Sequence, residues 1–381
     1  MGSSSLVLTV AAALGTETLA APAWVPADFY QWALQYSKRY STEHAWKRAL
    51  ANYRNNGRTI SNLNADLGDA AEYGHTHMSD LTPLDFAELY LPAVMDPAKG
   101  KRGGASVDLA ELEGPTPCAI DWREQGAVTP VKDQKSCGSC WAESAVSNIE
   151  SMWFLANRDS MKAPVQLSAQ QVIECDAHDY ACYGGYPRGA YEYVIEHSGI
   201  TSEVAYPYKV DRHTICLANQ TYNETCGDGF CDDPPLTNSC DQTCSDKSMA
   251  HRSVARISSW RALPTDENQI AAYLALHGPV SVGLDASGGA LGVLFPWLQF
   301  YKHGVANPRR CTSTINHAVV LVGYGEDGQK YWIVKNSWGS KWGESGYFRL
   351  VRGAGKCGVA LMATSAVVSN GPMRAPNTVV V

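Results

Sequence analysis

The segment DQKSCGSCWAESA, residues 133–145, places two cysteines, a tryptophan and a glutamate in and just after a turn rich in glycine and serine. Beyond the turn Ala142, Ala145, Ile149, Met152 and Ala156 recur at steps of three and four, which predicts a helix starting at Cys140. At a helix N-terminus the unpaired backbone N–H groups and the positive end of the dipole favour a thiolate. Helical projection turns Cys140 away from the apolar stripe, so its sulfur is expected to be reachable. Cys137, in the turn itself, suits a disulfide better. A thiolate nucleophile needs a base, and the base needs a group that orients it. INHAVVLVGYGEDGQKYWIVKNSWG offers both, on two apolar strand-like runs flanking the turn GEDG. Taking His317 and Asn336 as cross-strand partners centres the hairpin between Glu326 and Asp327, inside that turn. The pairing sets the imidazole beside an amide whose oxygen can fix its tautomer.

The chain that must position these groups has 381 residues, enough for an enzyme domain and a further segment. Its formal net charge is −7 and no block of Lys or Arg occurs, which argues against nucleic acid as a partner. Twelve cysteines point to disulfides in an oxidising compartment. The run SLVLTVAAALG followed by TLAAPA reads as a signal peptide over residues 1–20, and no other run is long enough to span a bilayer. The sequons at Asn219 and Asn223 fit a secretory route. Residues 27–91 read as helical and charged. MDPAKGKRGGASVDLAELEGPTP then reads as a linker open to proteolysis. The rest is denser in Trp, Tyr, Gly and Cys, apart from a polar stretch at 216–250 carrying Cys226, Cys231, Cys240 and Cys244.

CGSCW, NHAV, KNSWG and ACYGGYP together resemble the motifs of the papain-like cysteine proteases, over roughly residues 27–365. The resemblance implies an α+β fold of two packed subdomains, one helical and carrying Cys140, one barrel-like and carrying His317 and Asn336. It implies a cysteine endopeptidase made as an inactive, cathepsin L-like precursor. Cys140 would be the nucleophile, His317 the base and Asn336 its orienter. Gln134 would donate to the oxyanion and Trp338 would shield the His317–Asn336 bond. Substrate would lie against Gly184 and Gly185. The side chain two residues before the scissile bond would enter a pocket of Tyr186, Pro187, Gly283, Ala318 and Met362. Disulfides would join Cys137 to Cys182, Cys175 to Cys216 and Cys311 to Cys357. The implied partners are protein and peptide substrates and the chain's own prosegment; the implied state is a monomer without cofactor or metal. The implied layout is a prosegment with linker over 21–115 and a peptidase domain over 116–381, destined for a lysosome, a vacuole or the exterior.

The chain departs from that pattern in several places. His317 follows Cys140 at more than the usual ~130–150 residues, which makes 217–250 an insertion. Its cysteines read first as local disulfides, with calcium on Asp228, Asp232 and Asp233 or zinc on the thiols as lesser alternatives. Cys118 is then left over. Glu143 stands where an aromatic is usual: it either faces Cys140, opposing the thiolate, or is a solvated residue of the helix start. In the prosegment Tyr53, Asn56, Ile60 and Asn64 keep the family spacing while Glu43 and Arg48 do not. GHTHMSD keeps Gly74 and Asp80 of a second motif. A catalytically impaired binding or storage protein on the same scaffold is the rival reading.

Overall fold

The computed structural model describes residues 22–113, 116–209, 252–289 and 294–369. The expected signal peptide, both sequons, Cys216 and the 217–250 insertion lie outside the described residues.

The chain enters through two crossed helices, α1 (Ala27–Gln35) and α2 (Glu43–Asn64). Thr42 caps α2 by accepting the Ala45 N–H at 3.1 Å. The helices bury Phe29, Trp32, Trp46, Ala49 and Leu50 against each other, a small aromatic core of their own. Asn56 faces inward and donates to the carbonyls of Ser79 and Leu81 at 2.9 and 2.7 Å, and Asn64 both donates to and accepts from Tyr73. These bonds hold the GHTHMSD segment on α2. After the short strand β1 (Glu72–Tyr73), α3 (Pro83–Tyr90) opens with a Thr82–Asp85 capping box and a proline in its first turn.

The stretch expected to be a linker open to proteolysis is largely exposed, and it is also seated on the rest of the molecule. It forms a one-turn helix α4 (Pro97–Lys101) and a strand β2 (Ala105–Ser106). A Cβ on Gly100 would meet Met362 Sδ at 2.3 Å, and one on Gly104 would meet the Trp260 ring at 2.3 Å. Small residues here allow close approach as well as flexibility.

The larger unit places β3 (Ile120–Asp121) ahead of three helices: α5 (Cys140–Ala156), α6 (Ala169–Cys175) and α7 (Pro187–Glu196). There follow β4 (Ser259–Ala262), α8 (Glu267–His277), β5 (Val280–Leu284), β6 (Tyr301–His303) and β7 (Val305–Ala306). The chain ends in β8 (His317–Asp327), β9 (Gln329–Lys335), β10 (Tyr347–Val351) and β11 (Thr364–Val367). Among the described residues the main sheet runs β2-β4-β11-β5-β8-β9-β10-β7, with β3 beside β8. β2 joins β4 in parallel, and β1 pairs with β6 outside this sheet, so the N-terminal unit adds a strand at two separate places.

Two local expectations are corrected. α5 packs on α6, α7, β5, β8 and β11, and is buried on nearly every side from Cys140 to Ser151. Its non-stripe face is polar yet inside: Ser144 donates to Val319 O at 2.7 Å and Asn148 to Pro279 O at 2.8 Å. The β8–β9 hairpin turns at Gly328, which has φ +68°, with Asp327 opposite Gln329. A bulge at Val322 then shifts the register, leaving Val320 opposite Lys335. His317 and Asn336 are therefore not ladder partners, and Asn336 lies one residue beyond β9.

Candidate active site

The side chains of His317 and Asn336 nevertheless meet. His317 Nε2 donates to Asn336 Oδ1 at 2.8 Å, and the Ser337 N–H donates to the same oxygen at 2.8 Å. That second donor fixes which amide atom is the oxygen, and so fixes the imidazole as the Nε2–H tautomer. Nδ1 keeps its lone pair and has no hydrogen-bond partner in the described structure. The indole of Trp338 stacks on the ring at 4.8 Å and covers the bond.

Cys140 opens α5, and its sulfur accepts the Ala318 N–H at 3.3 Å. The thiol thus lies against the residue that follows the histidine. Contrary to the exposure expected for it, Cys140 is completely buried, as is His317. Burial pushes the thiol up to about 12, against the pull of the Ala318, Trp141 and Cys140 N–H groups, and Glu143 adds a last upward push. Burial likewise holds the imidazole down at about 4, against the Asn336 bond. Both groups are therefore neutral near pH 7: a thiol and an imidazole.

The cover is the chain's own segment between α3 and α4. The Tyr90 carbonyl takes a 2.9 Å hydrogen bond from Gln134 Nε2, which also donates to Cys137 O. Gln134 Oε1 accepts from Ser337 Oγ at 2.6 Å, so the amide is held on both sides. Pro92 lies over the loop glycines: a Cβ on Gly184, at φ +126°, would stand 2.7 Å from Pro92 Cβ. Ala93 N–H points at Tyr183 O at 3.4 Å, Met95 N–H donates to Ile315 O at 2.7 Å, and Asp96 N–H donates to Tyr186 Oη at 3.0 Å. The segment crosses the thiol from one wall to the other.

Met95 packs with Cys140, Ile315, Ala318 and Met362, with Tyr186 and Leu361 at the edge. A Cβ on Gly283 would meet Ile315 Cγ2 at 2.4 Å and Met362 Cε at 2.7 Å, so that glycine sets the depth of the same pocket. Tyr186, Gly283, Ala318 and Met362 are thus brought together. Gly185 packs instead on Trp141 and Asp179, and Pro187 serves as the first residue of α7. Ile315 and Leu361 were not picked out from the sequence; isolated aliphatics carry no chemical signal.

Glu143 is buried, which overturns the solvated reading. Its carboxylate turns to Lys132 Nζ at 3.8 Å, and burial pushes its acid up to about 7. Lys132 is shared with Glu150 at 2.8 Å and with the Leu167 carbonyl at 2.8 Å. Lys335 donates to Thr129 Oγ1 at 2.8 Å, and Thr129 donates to Glu150. Burial lowers Lys335 to about 8. Behind the thiol helix lies a buried ionic network drawn from four separate segments.

Disulfides join Cys137 to Cys182 and Cys311 to Cys357. Cys175 is disulfide-bonded, while its expected partner Cys216 lies outside the described residues. Cys118 is exposed and unbonded.

A helix-borne thiol, an imidazole oriented by an amide, and a plug donated by the same chain define a thiol site held in a capped state. The family comparisons agree with that class. A profile for papain family cysteine proteases matches residues 116–367, and one for the cathepsin propeptide inhibitor domain matches residues 29–86. The chain belongs to the papain family and carries the cathepsin-type propeptide domain. It is 38% identical to mouse cathepsin F over 90% of this chain and 64% of that protein, and 33% identical to Drosophila melanogaster cathepsin F over 90% and 50%. It therefore spans less than two thirds of the length of these two relatives. Among solved structures, digestive procathepsin L2 of Tenebrio molitor superposes with a TM-score of 0.73 at 29% identity, covering 90% of this chain and 99% of that one.

Proposed function

We propose that the chain is the precursor of a cysteine endopeptidase, with the segment through Tyr90, Pro92 and Met95 standing where substrate binds. The observation that carries this reading is the Tyr90–Gln134 bond: a peptide carbonyl already occupies the donor a reacting carbonyl would use. Once the cover leaves, water re-enters and the charged forms of Cys140 and His317 become accessible. His317 Nδ1 takes the thiol proton. The sulfur attacks the scissile carbonyl carbon, and the resulting oxyanion accepts from Gln134 Nε2 and the Cys140 N–H. Collapse returns the proton from the imidazolium to the leaving amine, leaving a thioester that water hydrolyses with His317 as base.

The layout that accompanies this reading is a prosegment and linker over 21–115 and a peptidase from 116, cut within about residues 100–117. Parts of that linker, including the 105–106 strand, are paired in the precursor, so they must detach before they can enter an active site. The product is read as a monomer of the secretory pathway, delivered to a lysosome, a vacuole or the exterior. Among the described residues no helix is long and apolar enough to cross a membrane. The test is labelling with a thiol-directed epoxide before and after acidification. The wild-type chain should take one equivalent at Cys140 after acidification and then hydrolyse peptides; Cys140→Ala should do neither. Hydrolysis by the alanine variant would overturn the mechanism, and an unlabelled, inert wild-type chain would favour the impaired scaffold.

A further inference from the structure

Two buried carboxyl groups, Asp176 and Asp179, stand back to back behind the loop Tyr183–Tyr186, in a part of the molecule the proposed chemistry does not use. Their inner oxygens converge on Gly189, where an added Cβ would stand 1.8 Å from Asp179 Oδ2 and 3.4 Å from Asp176 Oδ2, and two buried carboxyl groups this close hold one proton between them rather than both ionise. The outer oxygens face backbone: Asp179 Oδ1 accepts the Tyr186 N–H at 2.9 Å, and Asp176 Oδ1 accepts the His178 N–H at 2.9 Å. Two glycines, Gly185 in the loop and Gly189 in α7, approach Asp179 closely. A Cβ on Gly189 would stand 1.8 Å from Asp179 Oδ2, and one on Gly185 would stand 2.7 Å from its Cβ and Cγ. The carboxyl is therefore wedged between the loop and the first turn of α7, and any shift in it is transmitted to Gly185 and Tyr186.

We propose that Asp179, sharing one proton with Asp176, is a positioning residue for the loop that holds the substrate backbone, and that loss of this proton loosens the loop. The proposal rests on the proteolytic reading above. In the precursor the loop offers the Tyr183 carbonyl to Ala93 and the Tyr186 hydroxyl to Asp96, so its placement governs how an extended chain is held. Burial and the Asp176 charge push Asp179 well above the usual carboxylate range, and burial pushes Asp176 up. The other charges facing the pair are His178 on its own segment and Arg188 and Glu196 on α7. Arg188 is shared with Glu192 at 3.7 Å and Glu196 with His178 at 3.4 Å. The native chain holds a proton that the unfolded chain releases in the ordinary carboxylate range. The pair thus supports the loop in acid, and its support fades as pH rises.

The experiment uses the full chain, activated by acid, and compares two readouts across a pH series. One is KM and kcat on an extended peptide; the other is the rate at which iodoacetamide alkylates Cys140, which needs no loop. For the wild type, KM should rise on the alkaline side while alkylation follows only the thiol. Asp179→Asn places an amide N–H where the shared proton was and keeps an acceptor for Tyr186; it should match wild-type KM in acid and lack the alkaline rise. Asp179→Ala should raise KM roughly fivefold in acid, the fold-change one hydrogen bond carries, with kcat and alkylation unchanged. If Asp179→Ala does not accumulate folded, the Asp179→Asn profile decides alone. An asparagine profile that keeps the wild-type alkaline rise overturns the proposal. A wild-type chain that hydrolyses no peptide overturns the proteolytic reading and this one with it; an active wild type with indistinguishable variants overturns this one alone.

Discussion

The Tyr90 carbonyl oxygen sits 2.9 Å from the side-chain nitrogen of Gln134. A backbone atom makes this contact, so it depends on the direction of the chain and the length from α3 to Met95, while the Tyr90 ring separately packs on Phe86, Trp338 and His77.

Gln134→Ala should lower kcat by about 10²–10³-fold with a small change in KM, as expected when one oxyanion donor is removed. The same change should weaken prosegment retention, because the Tyr90 carbonyl loses its donor. Steady-state kinetics of the activated enzyme, paired with inhibition by added prosegment, checks both. An effect confined to KM would show that the amide binds ground state and transition state alike.

Iodoacetamide should alkylate Cys140 slowly in the precursor at neutral pH and much faster after activation. Burial holds the thiol at about 12 and the imidazole at about 4 in the covered site, so little thiolate exists there. Mass spectrometry of a timed quench reads the rate. Equal rates before and after cleavage would mean the segment around Met95 does not exclude water.

Acid should release the prosegment partly through His75 and His77. His75 stacks on Tyr53 at 3.7 Å, and His77 packs near Tyr36 and Tyr90. Burial lowers each to about 4. The unfolded segment binds these protons near pH 6.5, so the stability the neutral rings contribute is present above that pH and is lost progressively toward pH 4. Lys302 faces both rings and Lys38 faces His77, which makes the added charge less welcome, while Asp28 near His75 acts the other way. His77→Phe should move the activation midpoint to lower pH, read as the onset of peptide hydrolysis in a pH series. An unmoved midpoint would show that protonation of His77 does not drive the release.

Glu143→Gln should leave the acidic limb of kcat/KM in place and change the profile only as pH passes about 7, where the buried acid ionises. The native acid is held neutral above its ordinary range, so the wild type loses stability as pH rises toward 7 and the glutamine variant should not. Melting temperature against pH for both proteins checks this. A displaced acidic limb would mean that Glu143 acts on the thiol directly rather than through Lys132.

The activated enzyme should prefer Leu, Phe or Val two residues before the cut, since the pocket that holds Met95 presents Ile315, Ala318 and Met362 and no charge to pair with arginine. Gly283→Ala should shift the preference from Phe toward Val, because the added methyl presses on Ile315 and Met362. Profiling with a positional peptide library decides; a dominant arginine preference would show the pocket to be elsewhere.

Cys140, His317, Asn336 and Gln134 were legible in the sequence because each stands in a short motif whose spacing reflects a local turn. The hairpin register was not, because the bulge at Val322 leaves no mark on an apolar run. Glu143 stays open between two readings at the level of sequence for a different reason. Its neighbours Lys132 and Lys335 come from remote segments, and helical position alone places a first-turn glutamate in water. The pairing of the linker was not legible either: glycine and lysine signal a flexible chain, while the pairing of Ala105 and Ser106 with Arg261 and Ala262 is a long-range fact.

The prosegment adds a strand to the peptidase on each side of the plug, β1 on β6 and β2 on β4. As one chain, the plug faces its target at an effective concentration in the millimolar range or above, so even weak contacts suffice to keep the site closed. A cut beyond the β2 strand, inside the 100–117 stretch, turns the same contacts into an ordinary two-body equilibrium, subject to dilution. Activation should therefore be slower where the released prosegment is confined with the enzyme and faster where it can diffuse away, so that the volume of the surrounding compartment becomes a control variable.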